Sequence, residues 1–211
     1  IENLELSSIT NCVIASVVPE ALLSLRIFNE KYLNINPIVV GDHNLELGIE
    51  INIDTPSEAG ADRLVNAVAV KKFYQKSAIV VDFGTATTFD VVSKIGSYEG
   101  GVIAPGVNLS LEALYMAASR LPRININNSY NKKVIGKNTK DSMGSGIYWG
   151  YISLIEGIIE KIKRETQTNY LVIATGGLSN IFSKDCKAID VVDENLTING
   201  LIHIYNINNK K

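Results

Sequence analysis

The sequence predicts an α/β fold with mixed sheets, and three observations predict it. Short apolar, β-branched runs alternate with segments of helical spacing along most of the chain. Residues 78–104 interrupt that alternation with three strand-like runs in succession. The resulting order, strand-helix-strand-helix and then meander-helix-helix-strand-helix-strand-helix, belongs to layered α/β proteins. No short-period repeat and no low-complexity linker appears, and a boundary between two lobes fits best near residues 75–78.

Each element has its local reason. Residues 11–18 read as a core strand that Pro19 ends, 20–33 carry helical spacing in Leu22, Leu23, Leu25, Ile27 and Phe28, and 37–40 read as a second short strand. Thr55-Pro56-Ser57-Glu58 has the form of a capping box with Pro at the first helical position, so a helix is expected from there to about Tyr74. Strands are expected over 78–83, 87–93 and 98–104, with Ile95-Gly96-Ser97 as a turn and Pro105-Gly106 as the stop. Residues 108–119 read as a helix, the Asn-rich 123–138 as a loop and 140–164 as a long helix. A strand at 170–174, a tight turn at Thr175-Gly176-Gly177, a short helix, a strand at 188–192 and a helix at 196–207 follow.

The totals exclude several classes. The chain has 211 residues, 46% hydrophobic and 20% charged, enough for one large or two small domains. Net charge is −2 with no Lys/Arg-rich run, which argues against a nucleic-acid partner. No apolar run reaches the ~18 residues of a membrane span, and no signal peptide is visible, so the cytoplasm is the expected location. Cys12 and Cys186 form no C-x-x-C pair and read as reduced packing thiols; His43 and His203 stand apart from them and from each other. A His-based metal site or a Ser-His-Asp triad has little support.

Chemistry is concentrated in five stretches. VVDFGTATTFDVV, 80–92, bends at Gly84, where the backbone can approach an anion, with Thr85, Thr87 and Thr88 as hydroxyl donors. Asp82 there would repel phosphate unless a cation lay between them; a strand end with common strand and turn residues is the plainer alternative. EAGADRLVNAVAV, 58–70, places Asp62 and Arg63 near a helix start. Asp62 could take a proton from a hydroxyl and Arg63 could hold a carboxylate by a forked contact, or the pair could be a cap and a surface ion pair. GGVIAPG, 100–106, is an apolar strand bracketed by glycines; Thr139 in NTKDSMGSG reads as a helix N-cap; ATGGLSN, 174–180, carries a Gly pair between strand and helix.

Taken together and in this order, these stretches resemble the type III pantothenate kinase family. The similar pieces are ASVVP at 15–19, GADR at 60–63, DFGTATTFD at 82–90, GGVIAPG at 100–106, NT at 138–139, GG at 176–177 and LTINGLIHIYN at 196–206. The resemblance implies two ribonuclease-H-like, actin-like ATPase lobes, here 1–76 and 77–211, in a homodimer. It implies transfer of the γ-phosphoryl of ATP to the primary hydroxyl of pantothenate, the first step toward coenzyme A, with Mg²⁺ and a monovalent cation, K⁺ or NH₄⁺. By motif position, Asp62 would be the general base. Gly60, Ala61 and Arg63 would line the pantothenate site with Arg63 near its carboxylate, Asp82 would hold the monovalent cation, Thr85 would touch ATP and Thr139 pantothenate.

Two departures stand beside the resemblance. The sequence holds no Asp-Gly-Asn-Thr phosphate loop, so the first lobe reads as incomplete at its N-terminus and the chain alone is expected to transfer phosphate poorly. Ile53 stands where the family often has an aromatic residue against substrate. A non-catalytic regulatory or ligand-binding relative, similar to the Bvg accessory factors, is the alternative reading; another actin-like kinase acting on a sugar or an acid is a third.

Overall fold

A computed structural model describes residues 5–118, 121–126 and 133–209. Five strands form the main sheet: β3 (Ala78–Phe83), β4 (Ala86–Val92), β5 (Tyr98–Pro105), β6 (Leu171–Gly176) and β7 (Val191–Val192). Their spatial order is β5-β4-β3-β6-β7. β3, β4 and β5 are the expected antiparallel meander, and β6 and β7 add to the β3 edge in parallel. The sheet is therefore mixed, as the order of elements predicts. A second, parallel pair, β1 (Val13–Ile14) and β2 (Ile38–Val39), lies toward the N-terminal end of the chain.

Side chains alternate across a strand, and β3 is covered on both sides, so its run of buried residues is nearly unbroken. Ile79, Val81 and Phe83 face one core together with α4 (Thr139–Thr166) and the short α5 (Ser179–Phe182), where Phe182 stacks at 5.3 Å on Phe83 and 5.5 Å on Tyr148. Ala78 and Val80 face a second core with α2 (Ala61–Ala69), whose Leu64 and Ala67 meet Val92, Tyr98 and Leu196 there. Asp82 continues this second face, a carboxylate where the pattern calls for an apolar side chain.

The last helix, α6 (Leu196–Asn208), packs along α2 and reaches a third core of Val40, Val65 and Ile204. The crossing is close because position 200 is glycine: a Cβ there would collide with the Val65 carbonyl oxygen.

Several boundaries differ from the sequence reading. The strand expected over 11–18 is paired only at Val13–Ile14, because β2 offers two residues between Pro37, which has no N–H, and Gly41 at φ 108°. Thr55 makes no capping hydrogen bond; Pro56–Glu58 form one 3₁₀ turn, Ala59 is extended, and α2 starts at Ala61 with Gly60 as its cap. α2 ends in a π-turn over Val70–Tyr74, closed by Gln75 in the left-handed region. α1 (Pro19–Phe28) ends in the same way over Asn29–Leu33 and buries none of its own residues. α3 (Val107–Ala117) follows Gly106. The cap of α4 is Asn138, whose side chain accepts the Asp141 N–H; Thr139 is the first helical residue. Residues 127–132 of the expected Asn-rich loop lie outside the described residues; 121–126 and 133–138 contain no helix or strand.

Candidate active site

The stretch GADR folds as it does because each position has one task. Gly60 caps α2 with extended backbone, and a Cβ on it would stand 2.7 Å from Asp62 Oδ1. Ala61 is buried in the third core. Asp62 sits in the first helical turn, where free N–H groups favour a carboxylate, and its Oδ1 accepts the Arg63 N–H at 2.9 Å. Arg63 turns toward the sheet.

There Arg63 Nε donates to Oδ1 of Asp90, on β4, at 2.5 Å. Asp90 is fully buried and the Arg63 side chain is 15% exposed. Thr88 donates its hydroxyl to Asp90 Oδ2 at 3.0 Å and Tyr98 donates to Oδ1 at 3.3 Å. The guanidinium carbon lies 5.5 Å from the centre of the Tyr98 ring. Burial pushes the Asp90 carboxyl up; Arg63 and the two hydroxyls pull it back. Burial and the Asp90 charge together push the Tyr98 phenol above its usual range. Arg63 Nη2 is buried without an acceptor among the described residues. Position 101 must be glycine for this arrangement, since a Cβ there would stand 2.9 Å from Nη2 and collide with the Phe89 carbonyl.

One turn further along α2, Asn66 donates its amide to Asp82 Oδ2 at 3.1 Å. The amide is oriented from α6: Thr197 donates its hydroxyl to Asn66 Oδ1 at 2.8 Å. Burial raises the Asp82 pKa, Asn66 lowers it, and the Asp62 charge raises it again. Asp82 Oδ1 lies against Gly176, whose φ of +87° and close approach both exclude a side chain. Asp62 and Asp82 thus lie within electrostatic reach of each other where α2 starts and the parallel strands β3 and β6 end, the place where open α/β sheets bind ligands, while Asp90, opposite Val80, holds Arg63 from further along β4.

Thr85 lies at the exposed bend between β3 and β4, beside a cleft of about 580 Å³ lined by Phe83, Gly84, Asn108 and Gly177 among others. Gly106 brings the start of α3 against this bend, since a Cβ on it would run into the Thr85 carbonyl. Thr139 is exposed at the start of α4, and its side chain makes no hydrogen bond among the described residues. Ile53 is half-buried beside Gly100, next to the glycine that accommodates Arg63.

The type III pantothenate kinase family matches residues 2–161. A type III pantothenate kinase from Paramagnetospirillum magneticum is 50% identical over 208 residues, covering 99% of this chain and 79% of that protein. The chain belongs to this family. A second type III pantothenate kinase, from Phenylobacterium zucineum, is also 50% identical over 208 residues, with 99% of this chain and 80% of that protein covered. Among solved structures, one described as a Baf family transcriptional activator from Campylobacter jejuni has the same fold, with TM-score 0.66 and 20% identity over 95% of this chain and 84% of that one.

The sequence reading singled out Asp62, Arg63, Asp82 and the Thr88 hydroxyl, but not the contacts around them: Asp90 on Arg63, Thr88 and Tyr98 on Asp90, and Asn66 and Thr197 behind Asp82. The spacing of Arg63 and Asn66, three residues apart on one helix face, is the signal that could have found the second. Among the described residues no cluster of three or more His, Cys, Asp or Glu is arranged to hold a metal. No described helix is long and apolar enough to cross a membrane. Cys12 and Cys186 are both free thiols.

Proposed function

We propose that this chain phosphorylates the primary hydroxyl of pantothenate at the expense of ATP, the first step toward coenzyme A. The observation that carries the reading is the pairing, on one helix start, of a carboxylate free to take a proton with a guanidinium immobilised to receive an anion. Asp62 accepts the hydroxyl proton as the oxygen attacks the γ-phosphorus and the bond to the bridging β-phosphate oxygen breaks, releasing ADP, and Arg63 holds the carboxylate at the far end of the substrate. Gly60 and Ala61 line the pantothenate site beside Arg63, with Ile53 as apolar contact. Phosphoryl transfer is governed by positioning and charge neutralisation, and a general base adds about 10²- to 10⁴-fold.

Asp82 suits a monovalent cation, K⁺ or NH₄⁺. Its Oδ1 has no donor among the described residues, the site is largely desolvated, and Asp62 adds a second negative charge. Such a cation offsets repulsion between these carboxylates and a triphosphate. Mg²⁺ arrives with ATP, held mostly by phosphates and water. Thr85 and the N–H groups opening α3 contact the nucleotide; the exposed Thr139 hydroxyl contacts pantothenate. The protein works in the cytoplasm as a homodimer of two-lobed subunits, residues 1–76 and 77–211, without nucleic-acid or membrane partners.

The test is pantothenate and ATP titration of the purified chain together with its phosphorylation rate. Asp62→Asn should leave pantothenate binding intact and lower the transfer rate by about 10²- to 10⁴-fold. Full rate in that variant overturns the assignment, and a chain that binds neither ligand overturns the function.

A further inference from the structure

We propose that Asp90 is the positioning residue for acid recognition: it grips Arg63 by its Nε edge and leaves the Nη edge for the carboxylate of the ligand. The inference rests on the role given to Arg63 above. A pair built only to neutralise a buried charge favours the fork, two parallel N–H groups on two carboxylate oxygens. Here a single N–H is used. Nε meets Asp90 Oδ1, while Oδ2 is occupied by the Thr88 hydroxyl. The Tyr98 hydroxyl adds to Oδ1 and its ring lies along the guanidinium.

The carboxylate is thus clamped from three sides and cannot rotate to take more of the guanidinium. What remains is an Nη2 group that no acceptor among the described residues satisfies, although it is buried. A buried donor without an acceptor is costly unless a partner arrives. The backbone helps: Asp90 pairs across the sheet with Gly101, so the residue that anchors the guanidinium and the residue that makes room for Nη2 face each other in register. A carboxylate oxygen from the ligand accepts from this unsatisfied donor; a neutral group in its place forgoes the charge-assisted bond.

The experiment is isothermal titration of the wild-type chain and Asp90→Asn with pantothenate and with panthenol, the alcohol that lacks the carboxylate. Wild type should prefer pantothenate. Asp90→Asn should lose about 10- to 100-fold in pantothenate affinity, the equivalent of one charge-assisted hydrogen bond. Its panthenol affinity should stay within about twofold. Equal weakening of both ligands means a purely structural role and overturns the inference, as does no weakening of either. A wild type without preference overturns the role of Arg63 itself. If Asp90→Asn does not fold, Thr88→Val, which frees one oxygen of Asp90 and leaves the ion pair, must show a smaller loss confined to pantothenate; a loss shared by panthenol refutes the inference.

Discussion

Arg63→Met is the substitution that most directly exposes the energetics of the site. Methionine keeps much of the buried stem but removes the charge that compensates Asp90, which has no exposed surface. Breaking a buried ion pair by deleting one partner costs about 3–5 kcal/mol, because the remaining charge is left uncompensated. Two features pull the value toward the lower end. The hydroxyls of Thr88 and Tyr98 still donate to Asp90, and Arg63 keeps 15% of its side chain in contact with solvent. A loss of about 3 kcal/mol near pH 8 is therefore expected from urea denaturation, a large part of the ~5–15 kcal/mol typical of a folded protein.

The loss should depend on pH with a definite sign. Removing Arg63 raises the folded-state pKa of Asp90 further above its unfolded value. A carboxyl raised in this way is tolerated while protonated and becomes destabilising as pH rises through its folded pKa. The variant should therefore lie closest to wild type in acid and fall away toward pH 8. Adding Asp90→Asn removes the orphaned charge, and the double variant should return to within about 1 kcal/mol of wild type. A single variant that loses less than about 1 kcal/mol, by the same amount at both ends of the pH range, refutes the claim that Asp90 is a charged, buried partner.

Three further outcomes follow from the packing. Gly101→Ala should cost about 1–3 kcal/mol in denaturation, since its Cβ meets backbone that no rotamer change can move, and should weaken pantothenate binding by displacing Nη2. Phe182→Ala should cost about 3–5 kcal/mol by removing a fully buried ring stacked on Phe83 and Tyr148. Tyr74 donates to Asp193 at 2.9 Å, and burial with that bond pushes its phenol to about 12. Its contribution is complete below the unfolded pKa near 10 and is lost as pH rises through about 12, so Tyr74→Phe should flatten the alkaline arm of the stability curve.

The meander, α4 and α6 were legible because each is long or strongly patterned and most of its hydrogen bonds are local; β6, whose ladder partner β3 lies far back in the chain, was legible from its apolar run alone. The first sixty residues were less so. Apolar letters at 11–18 promise a strand, but a ladder needs a partner, and β2 supplies only two residues. Thr55–Glu58 matches a capping box letter by letter, yet an extended Ala59 separates it from the helix. In the site, individual side chains could be picked out by their chemistry, as with Asp62 and Arg63. The contacts between them could not: Arg63 finds Asp90 only through the register of β4 beneath α2, and Asn66 finds Thr197 across 131 positions.

That last contact has a bearing on how the protein comes into being. A ribosome has made α2 and the whole meander long before it adds Thr197, so the amide that steadies Asp82 stays unanchored until α6 has been made. The pocket for small charged species is complete only once α6 has packed against α2, its Gly200 leaving room for the Val65 carbonyl.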